Sequence, residues 1–196
     1  RYCNCEVVFS DIDPESYLID YDSVRKLLEA SPIGTYKGII PVDFAGRAVD
    51  LEAFRKLADE YNLWIIEDAC HAPGASFEDS NGEFQKSGNG KFADLAIFSF
   101  HPVKHIATGE GGMITTNSEI LYNKLLLLRS HGITRDQSRF RNSIIQAGGN
   151  SSDSMYPGWY MEMQELGYNY RLTDFQAALG ISQLKKIEGN LSRRKE

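Results

Sequence analysis

Residues 63–72 read Leu-Trp-Ile-Ile-Glu-Asp-Ala-Cys-His-Ala, and this stretch decides the fold. Residues 63–66 are continuously apolar, and so short a run predicts a β-strand buried on both faces rather than a helix. Glu67 and Asp68 end the strand, and His71 follows three residues after Asp68. Because ligands of open parallel sheets bind beyond the carboxyl ends of the strands, Asp68 and His71 are candidate site residues.

Short apolar runs and amphipathic segments alternate on both sides of this strand. The predicted strands cover residues 5–9, 39–42, 63–66, 94–100 and 112–116. Helices are predicted to begin after caps at Asp20 or Asp22, at Asp50, at Asn117 or Ser118, and at Thr173, which forms a capping box with Gln176. This alternation predicts an α/β fold, a three-layer αβα arrangement with a mostly parallel sheet and helices on both faces.

The composition of the 196 residues is that of a globular chain, with 42% hydrophobic and 24% charged residues, which excludes a disordered tail. Twenty-one basic and 27 acidic residues give a net charge of −6, a balance that argues against sequence-independent binding of nucleic acid. The longest apolar runs are far too short to span a membrane. Three cysteines are too few for a disulfide scaffold, so we predict a cytoplasmic protein. From the net charge and the short apolar runs we expect neither nucleic-acid nor membrane partners.

The start of the sequence bears on domain organisation and on metal binding. Arg1 stands where an initiator Met would be, and a strand is predicted almost at once, so we expect the interior of a longer protein. Cys3 and Cys5 would face one way on that strand. Only Cys70 with His71 could complete a metal site, and we therefore predict buried free thiols and no metal.

A second polar segment follows the strand predicted over 94–100. It contains Ser99 and Lys104 and leads into the glycine-rich residues 108–112. A Lys near apolar residues can act as a Schiff-base nucleophile, and an Asp facing it can keep the ring nitrogen of a pyridoxal cofactor protonated. Asp68 and Lys104 are 36 residues apart, which places them on different strand ends. Each residue alone is more often a helix cap or solvated surface, and the spacing is suggestive only.

Four blocks of the sequence, in consistent order and spacing, resemble the DegT/DnrJ/EryC1/StrS family of pyridoxal-phosphate sugar aminotransferases. The blocks are Ile-Glu-Asp-Ala-Cys-His-Ala at 66–72, Ser-Phe-His-Pro-Val-Lys at 99–104, Thr-Gly-Glu-Gly-Gly at 108–112, and Gly-Tyr-Asn-Tyr-Arg-Leu at 167–172 with Gln-Ala-Ala at 176–178. The likeness runs from about residue 5 to the end. It implies the PLP-dependent transferase fold of type I, with pyridoxal 5'-phosphate as cofactor.

The resemblance also implies roles for individual residues. Lys104 would form the internal aldimine with the cofactor and shuttle a proton, and Asp68 would pair with the pyridine nitrogen. His71 stands where the family places a Gln or His near the phenolic oxygen, and Ser99 would donate to the phosphate. Asn169 resembles the residue that reaches the phosphate of the neighbouring subunit, which implies a homodimer with a shared active site.

The reaction implied by the resemblance is amino transfer from glutamate to the C4 keto group of a nucleotide-linked 4-keto-6-deoxy sugar. The amino-acid sequences at 99–104 and 162–167 are most similar to those of the family branch that serves pseudaminic acid biosynthesis. The sugar of that branch is UDP-linked and N-acetylated. We expect residues 1–187 to be most of the cofactor-binding large domain, its N-terminal part missing. Residues 188–196 would begin the connection to a missing small C-terminal domain.

Several alternatives stay open at this point. Another fold-type-I pyridoxal enzyme could share the Asp and the Lys, and a non-catalytic relative could bind a sugar nucleotide without reaction. The stereochemistry of the sugar, and amination at C3 or at C4, are also open. Residues 131–167 predict a long irregular loop. Its aromatic cluster of Tyr156, Trp159 and Tyr160 fits equally a small satellite core and a wall for a nucleotide-sugar.

Overall fold

The computed structural model describes residues 3–195. They form two compact units, one comprising the chain up to Asn117 and again from Leu172, the other Ser118–Arg171. The helices are α1 (Tyr21–Glu29), α2 (Leu51–Tyr61), α3 (Glu119–Arg129), α4 (Asp174–Leu184) and α5 (Ile187–Lys195). The strands are β1 (Gly38–Ile39), β2 (Trp64–Asp68), β3 (Ser76–Glu78), β4 (Phe84–Lys86), β5 (Leu95–Ser99), β6 (Gly112–Thr115), β7 (Ile133–Thr134) and β8 (Glu162–Met163). No helix among the described residues is long and apolar enough to cross a bilayer.

The main sheet of the first unit has the strand order β1-β2-β5-β6. β1, β2 and β5 run parallel, whereas β6 returns antiparallel to β5. The step from β1 to β2 passes through α2, as a parallel crossover requires. This confirms the predicted α/β fold with a mainly parallel sheet.

The core lies between this sheet and the pair α1 and α2. Asp20 caps α1 and Asp50 caps α2, each accepting a backbone N–H three residues on, as predicted. The apolar positions of α2 then fall on one face and are buried. The cluster they join contains Val24, Leu28, Ile39, Val49, Leu51, Phe54, Leu57, Ala58, Leu63, Ile65 and Ala93.

The prediction that β2 is buried on both faces is wrong. Ile65 and Glu67 are buried on the face that the first two helices cover. Trp64 is exposed on the other face and Ile66 is only half-buried there. A strand alternates its side chains between the two faces, so a helix layer on one face buries only every second residue.

The strand predicted over residues 5–9 is also wrong. This segment pairs with no strand in the described part of the chain, and the Phe9 side chain is 89% exposed. An apolar segment becomes a strand only where a neighbour accepts its backbone hydrogen bonds, which composition does not reveal. Cys3 and Cys5 are correspondingly exposed free thiols, not buried ones. The helix that opens at Thr173 has the predicted capping box and spans Asp174–Leu184.

The polar segment after β2 forms an antiparallel hairpin of β3 and β4, which the sequence analysis did not predict. Buried Asp79 organises the turn, because its Oδ1 accepts the backbone N–H groups of Asn81 and Glu83. Its Oδ2 accepts from Gln85 Nε2 and Lys91 Nζ, at 2.7 Å and 2.8 Å. The Lys91 ammonium lowers the pKa of this carboxyl to about 2.

The second unit consists of α3, capped by Ser118 as predicted, the short pair β7 and β8, and a largely irregular loop. Buried Glu162 holds the loop, accepting the backbone N–H groups of Arg141 and Asn142 and the Tyr160 hydroxyl. The Tyr156 and Tyr160 rings stack 5.7 Å apart, and the loop therefore has a small packed centre of its own.

Gly132 is a backbone position in the second unit that has no room for a side chain. Its φ is +67°, and a Cβ here would overlap the carbonyl oxygen of Glu165. We expect Gly132→Ala to lower the free energy of unfolding by about 2 kcal/mol or more, through strain and displaced backbone. Urea unfolding measures this. Gly158→Ala is the control, because nothing lies within 4 Å of a Cβ there, and equal losses in both variants would contradict the argument.

Candidate active site

The carboxyl ends of β2 and β5 bring two of the expected site residues to one face of the sheet. Asp68 is the register partner of Ile97, and Ser99 lies two residues further along β5. Register partners and residues two apart on a strand point to the same face, so Asp68 and Ser99 point the same way. Both side chains are half-buried.

Asp68 is fixed by its backbone on both sides. Its N–H donates to the carbonyl of Pro41 at 2.9 Å, and its carbonyl accepts the N–H of Asp43 at 3.0 Å. One carboxylate oxygen accepts the N–H of Cys70 at 3.0 Å. The same carboxylate also lies within hydrogen-bonding reach of the Cys70 thiol, and two donors from one neighbouring residue leave it able to accept from a ligand.

Lys104 lies in the turn that follows β5. The turn is closed by its own N–H, which donates to the carbonyl of His101 at 2.9 Å. The Lys104 side chain is half-buried and lines a cleft of about 270 Å³. The lining residues are Ala45, His71, Val103, Lys104, His105 and Arg194. The structure therefore brings Lys104 and His71, 33 residues apart in sequence, to one cleft.

The charged groups of this cleft are all cationic or can become so. Burial lowers the pKa of His105, and the positive charges of Arg194, His71 and Lys104 lower it further. Nδ1 of His105 is buried without a hydrogen-bond partner in the described residues. A neutral imidazole beside an ammonium and a guanidinium makes a cleft suited to a negatively charged ligand.

Cys70 lies between the two predicted site residues of the first block but is not a nucleophile. Burial, followed by hydrogen bonding to the Asp68 carboxylate, raises the pKa of its thiol to about 12. The positive charge of Lys104 lowers the pKa of the same thiol, so this charge lies near Cys70. A thiol with so high a pKa stays protonated and unreactive at neutral pH.

The glycine-rich residues 108–112 wrap the end of β5. Thr108 Oγ1 donates to the carbonyl of Glu110 at 2.7 Å, and the same carbonyl accepts from Gln176 Nε2 of α4 at 2.8 Å. A Cβ on Gly112 would lie 2.8 Å from the carbonyl oxygen of Phe98. Glycine is thus needed where β6 leaves the loop, and the loop ties α4 to the strand end that carries Ser99.

Asn169 belongs to the second unit, Ser118–Arg171. It is exposed, and it forms an isolated antiparallel bridge with Ser130 at the end of α3. Its Oδ1 accepts the N–H of Arg171 at 3.4 Å. Of the five expected site residues, four therefore lie in the first unit and Asn169 lies in the second.

Arg194 also lines the cleft, although the sequence analysis did not single it out. Leu191, three residues earlier on α5, packs over Gly74. Residues three apart share a helix face, so Arg194 lies on the side of α5 that packs against the rest of the first unit. The spacing of one apolar and one basic residue was the available signal.

Comparison with known proteins gives a consistent result. A sequence profile described as the DegT/DnrJ/EryC1/StrS aminotransferase family matches residues 1–196. A UDP-4-amino-4,6-dideoxy-N-acetyl-beta-L-altrosamine transaminase from Campylobacter jejuni is 43% identical over 192 residues, covering 97% of this chain and 43% of that protein. The chain thus spans less than half the length of this relative.

Solved structures agree with the sequence comparison. Helicobacter pylori PseC, an aminotransferase involved in the biosynthesis of pseudoaminic acid, superposes with a TM-score of 0.71 at 33% identity, covering 92% of this chain and 40% of that one. Spr1654 of Streptococcus pneumoniae, in its PLP form, gives a TM-score of 0.69 at 28% identity, covering 96% of this chain and 45% of that one.

Proposed function

Because the chain belongs to the DegT/DnrJ/EryC1/StrS aminotransferase family, we propose that the protein is a pyridoxal-phosphate-dependent nucleotide-sugar aminotransferase. It moves the amino group of glutamate onto the C4 keto group of a 4-keto-6-deoxy sugar that is UDP-linked and N-acetylated. The observation that carries this proposal is the cleft in which Lys104 and His71 meet at the carboxyl edge of the sheet. The names of the Campylobacter and Helicobacter relatives favour this sugar class.

The residues present fit pyridoxal 5'-phosphate. A half-buried amine lines a cationic cleft that suits an anion, and a carboxylate that can still accept a hydrogen bond lies at the neighbouring strand end. The buried, unpartnered Nδ1 of His105 adds a polar atom that a ligand can satisfy. When bound, the cofactor supplies an electron sink that stabilises negative charge on the carbon losing a proton.

Each residue then has a separate task. Lys104 holds the cofactor and moves the proton at the substrate carbon, and Asp68 keeps the ring nitrogen protonated. Ser99 would bind the phosphate, and His71 would contact the phenolic oxygen. Asn169 reaches the phosphate site of the neighbouring subunit, so that the active enzyme is a homodimer. The division of the chain at residues 187 and 188, and the cytoplasmic location, stay predictions.

Arg194 and His105 give the cleft a place for the carboxylate of the amino donor. Arg194→Ala should raise KM for glutamate about 5- to 10-fold, because it removes a charge-assisted hydrogen bond from an accessible site. The effect on kcat should be smaller. Steady-state kinetics at varied glutamate measures both constants.

The neighbouring Arg193 provides the matched control, since it is an exposed arginine on the same helix that is absent from the lining of the cleft. Arg193→Ala should leave KM for glutamate unchanged. If the two variants behave alike, the change is one of general surface charge and Arg194 has no place in donor binding.

The proposed reaction is tested with 15N-glutamate and a panel of 4-keto and 3-keto nucleotide sugars, with the product analysed by mass spectrometry and NMR. We expect 15N at C4 of a UDP-linked sugar and formation of 2-oxoglutarate. Transfer of nitrogen only to C3 would contradict the proposed C4 amination and assign the protein to another branch of the family. A protein that binds the sugars but transfers no nitrogen to any of them would be the non-catalytic relative.

A further inference from the structure

Two acidic side chains lie buried and in contact on the opposite face of the sheet from Asp68. Asp43 is 0% exposed and Glu67 is 1% exposed. Consecutive residues bridge them, since the Ser87 hydroxyl donates to Asp43 and the Gly88 N–H donates to Glu67, and each carboxyl lies near enough to shift the pKa of the other. Glu67 directly precedes Asp68 on β2, and consecutive strand residues point to opposite faces. The site assigned above uses neither of them.

The groups around this carboxyl pair are donors of hydrogen bonds rather than cations. Asp43 accepts the N–H of Val49 at 2.9 Å and the Ser87 hydroxyl at 2.6 Å. Glu67 accepts the N–H of Gly88 at 3.0 Å and 2.9 Å on its two oxygens. Asp68 is the charged neighbour on the site side, and its charge further disfavours ionisation of Asp43.

Two buried carboxylates in contact cannot both ionise without a large energetic cost. Among residues 3–195, neither carboxyl forms an ion pair with a lysine, arginine or histidine. Asp43 receives two donors and Glu67 only one, and donors stabilise the ionised form. The geometry therefore points to a proton on Glu67 that is donated to the Asp43 carboxylate.

The pair also touches the backbone that holds Asp68. The N–H of Asp43 donates to the Asp68 carbonyl at 3.0 Å, and Val42 forms a parallel bridge with Asp68. The turn Phe44–Gly46 follows directly and places Ala45 in the lining of the Lys104 cleft. The Phe44 ring lies 5.8 Å from the His71 ring.

We propose that Asp43 and Glu67 form a proton-bridged pair that positions Asp68 and the turn Phe44–Gly46 from behind the sheet. The pair consists of positioning residues, because neither carboxyl faces the cleft. This role in catalysis rests on the proposed function, whereas the shared proton is a property of the folded chain alone. The two claims are therefore measured separately.

Unfolding tests the shared proton without any cofactor or substrate. Burial, followed by the nearby Asp43, raises the pKa of Glu67 from its ordinary 4.5 to about 8. The folded chain thus keeps a proton that the unfolded chain has lost, so stability falls as pH rises from about 4.5 to 8. Glu67→Gln keeps a donor toward Asp43 and an acceptor for Gly88, and it should flatten this dependence.

Infrared spectroscopy of the wild type at pH 7 should show the carbonyl stretch of a protonated carboxyl that Glu67→Gln lacks. The exposed Glu78→Gln serves as the control and should retain both the band and the slope. An unchanged slope in Glu67→Gln, or no such band in the wild type, would contradict the shared proton.

Kinetics of the holoenzyme tests the positioning role. Glu67→Gln should keep kcat within about threefold, since it preserves the bridge. Asp43→Ala should lower kcat about 10- to 100-fold with little change in KM, the cost of a small misplacement of a reacting group. Asp43→Ala should also shift the pH at which the absorbance of the bound cofactor changes, because Asp68 controls that transition.

Asp79→Ala is the matched control, because Asp79 is also a buried carboxylate of the first unit but is hydrogen-bonded within its own hairpin. It should lose stability without the shift in absorbance. Wild-type kcat and spectrum in Asp43→Ala would overturn the positioning role. If Asp43→Ala does not fold, Glu67→Ala removes the bridge from the other side, and wild-type kcat and spectrum in that variant would overturn the role instead. Absence of aminotransfer in the wild type would count against the proposed function and leave the unfolding result standing.

Discussion

Lys104→Arg is expected to reduce kcat/KM for amino transfer by at least about 10⁴-fold. Arginine keeps the positive charge and much of the volume in the cleft, but its guanidinium stays protonated and cannot serve as a nucleophile or a base. The loss of activity therefore reports the chemistry of the free amine and not the positive charge, which both side chains carry. Initial rates with glutamate and a keto sugar, together with the visible absorbance of the bound cofactor, measure it.

The control for this substitution is Lys86→Arg on β4, an exposed lysine outside the cleft. It should retain full activity. Urea unfolding of the Lys104 variant should match the wild type, because within residues 3–195 the Lys104 side chain forms no hydrogen bond or ion pair. Retention of more than about a hundredth of the activity in a folded Lys104→Arg would show that another residue performs this chemistry.

Asp68→Asn carries the second largest expected effect, a fall in kcat of about 10²- to 10⁴-fold. The amide replaces a negative charge that would hold the proton of the ring nitrogen, and it still fits the space at the end of β2. Cofactor should remain bound, and KM for both substrates should change little. Steady-state kinetics and absorbance of the bound cofactor separate these effects.

Glu78→Gln removes a carboxylate from an exposed strand position and should leave kcat unchanged. A substantial loss of cofactor from Asp68→Asn, with normal kcat per bound cofactor, would assign Asp68 a role in binding alone. If Asp68→Asn had unaltered kinetics, Asp68 would have no role in the active site.

Much of the first unit follows from short-range patterns in the sequence. Asp50 before the spacing of Leu51, Phe54 and Ala58 predicts α2, because capping and a single apolar face are local properties. The four sequence blocks led correctly to the family.

The remaining features depend on contacts between residues distant in sequence. Phe9 is exposed because no described strand pairs with its segment, which no local pattern reports. Asp43 and Glu67 are 24 residues apart and meet only across the sheet. Arg194 reaches the Lys104 cleft through the packing of α5, a tertiary contact that its basic neighbours conceal.

Borohydride reduction of the holoprotein, followed by tryptic digestion and mass spectrometry, tests the central claim most directly. A pyridoxyl group on Lys104 blocks cleavage there, so the account predicts the adduct on a peptide spanning residues 92–124. In unreduced protein, trypsin cleaves after Lys104 and yields residues 92–104 without added mass. An adduct on a different lysine, or an active protein that carries no adduct after reduction, would contradict the assignment of Lys104.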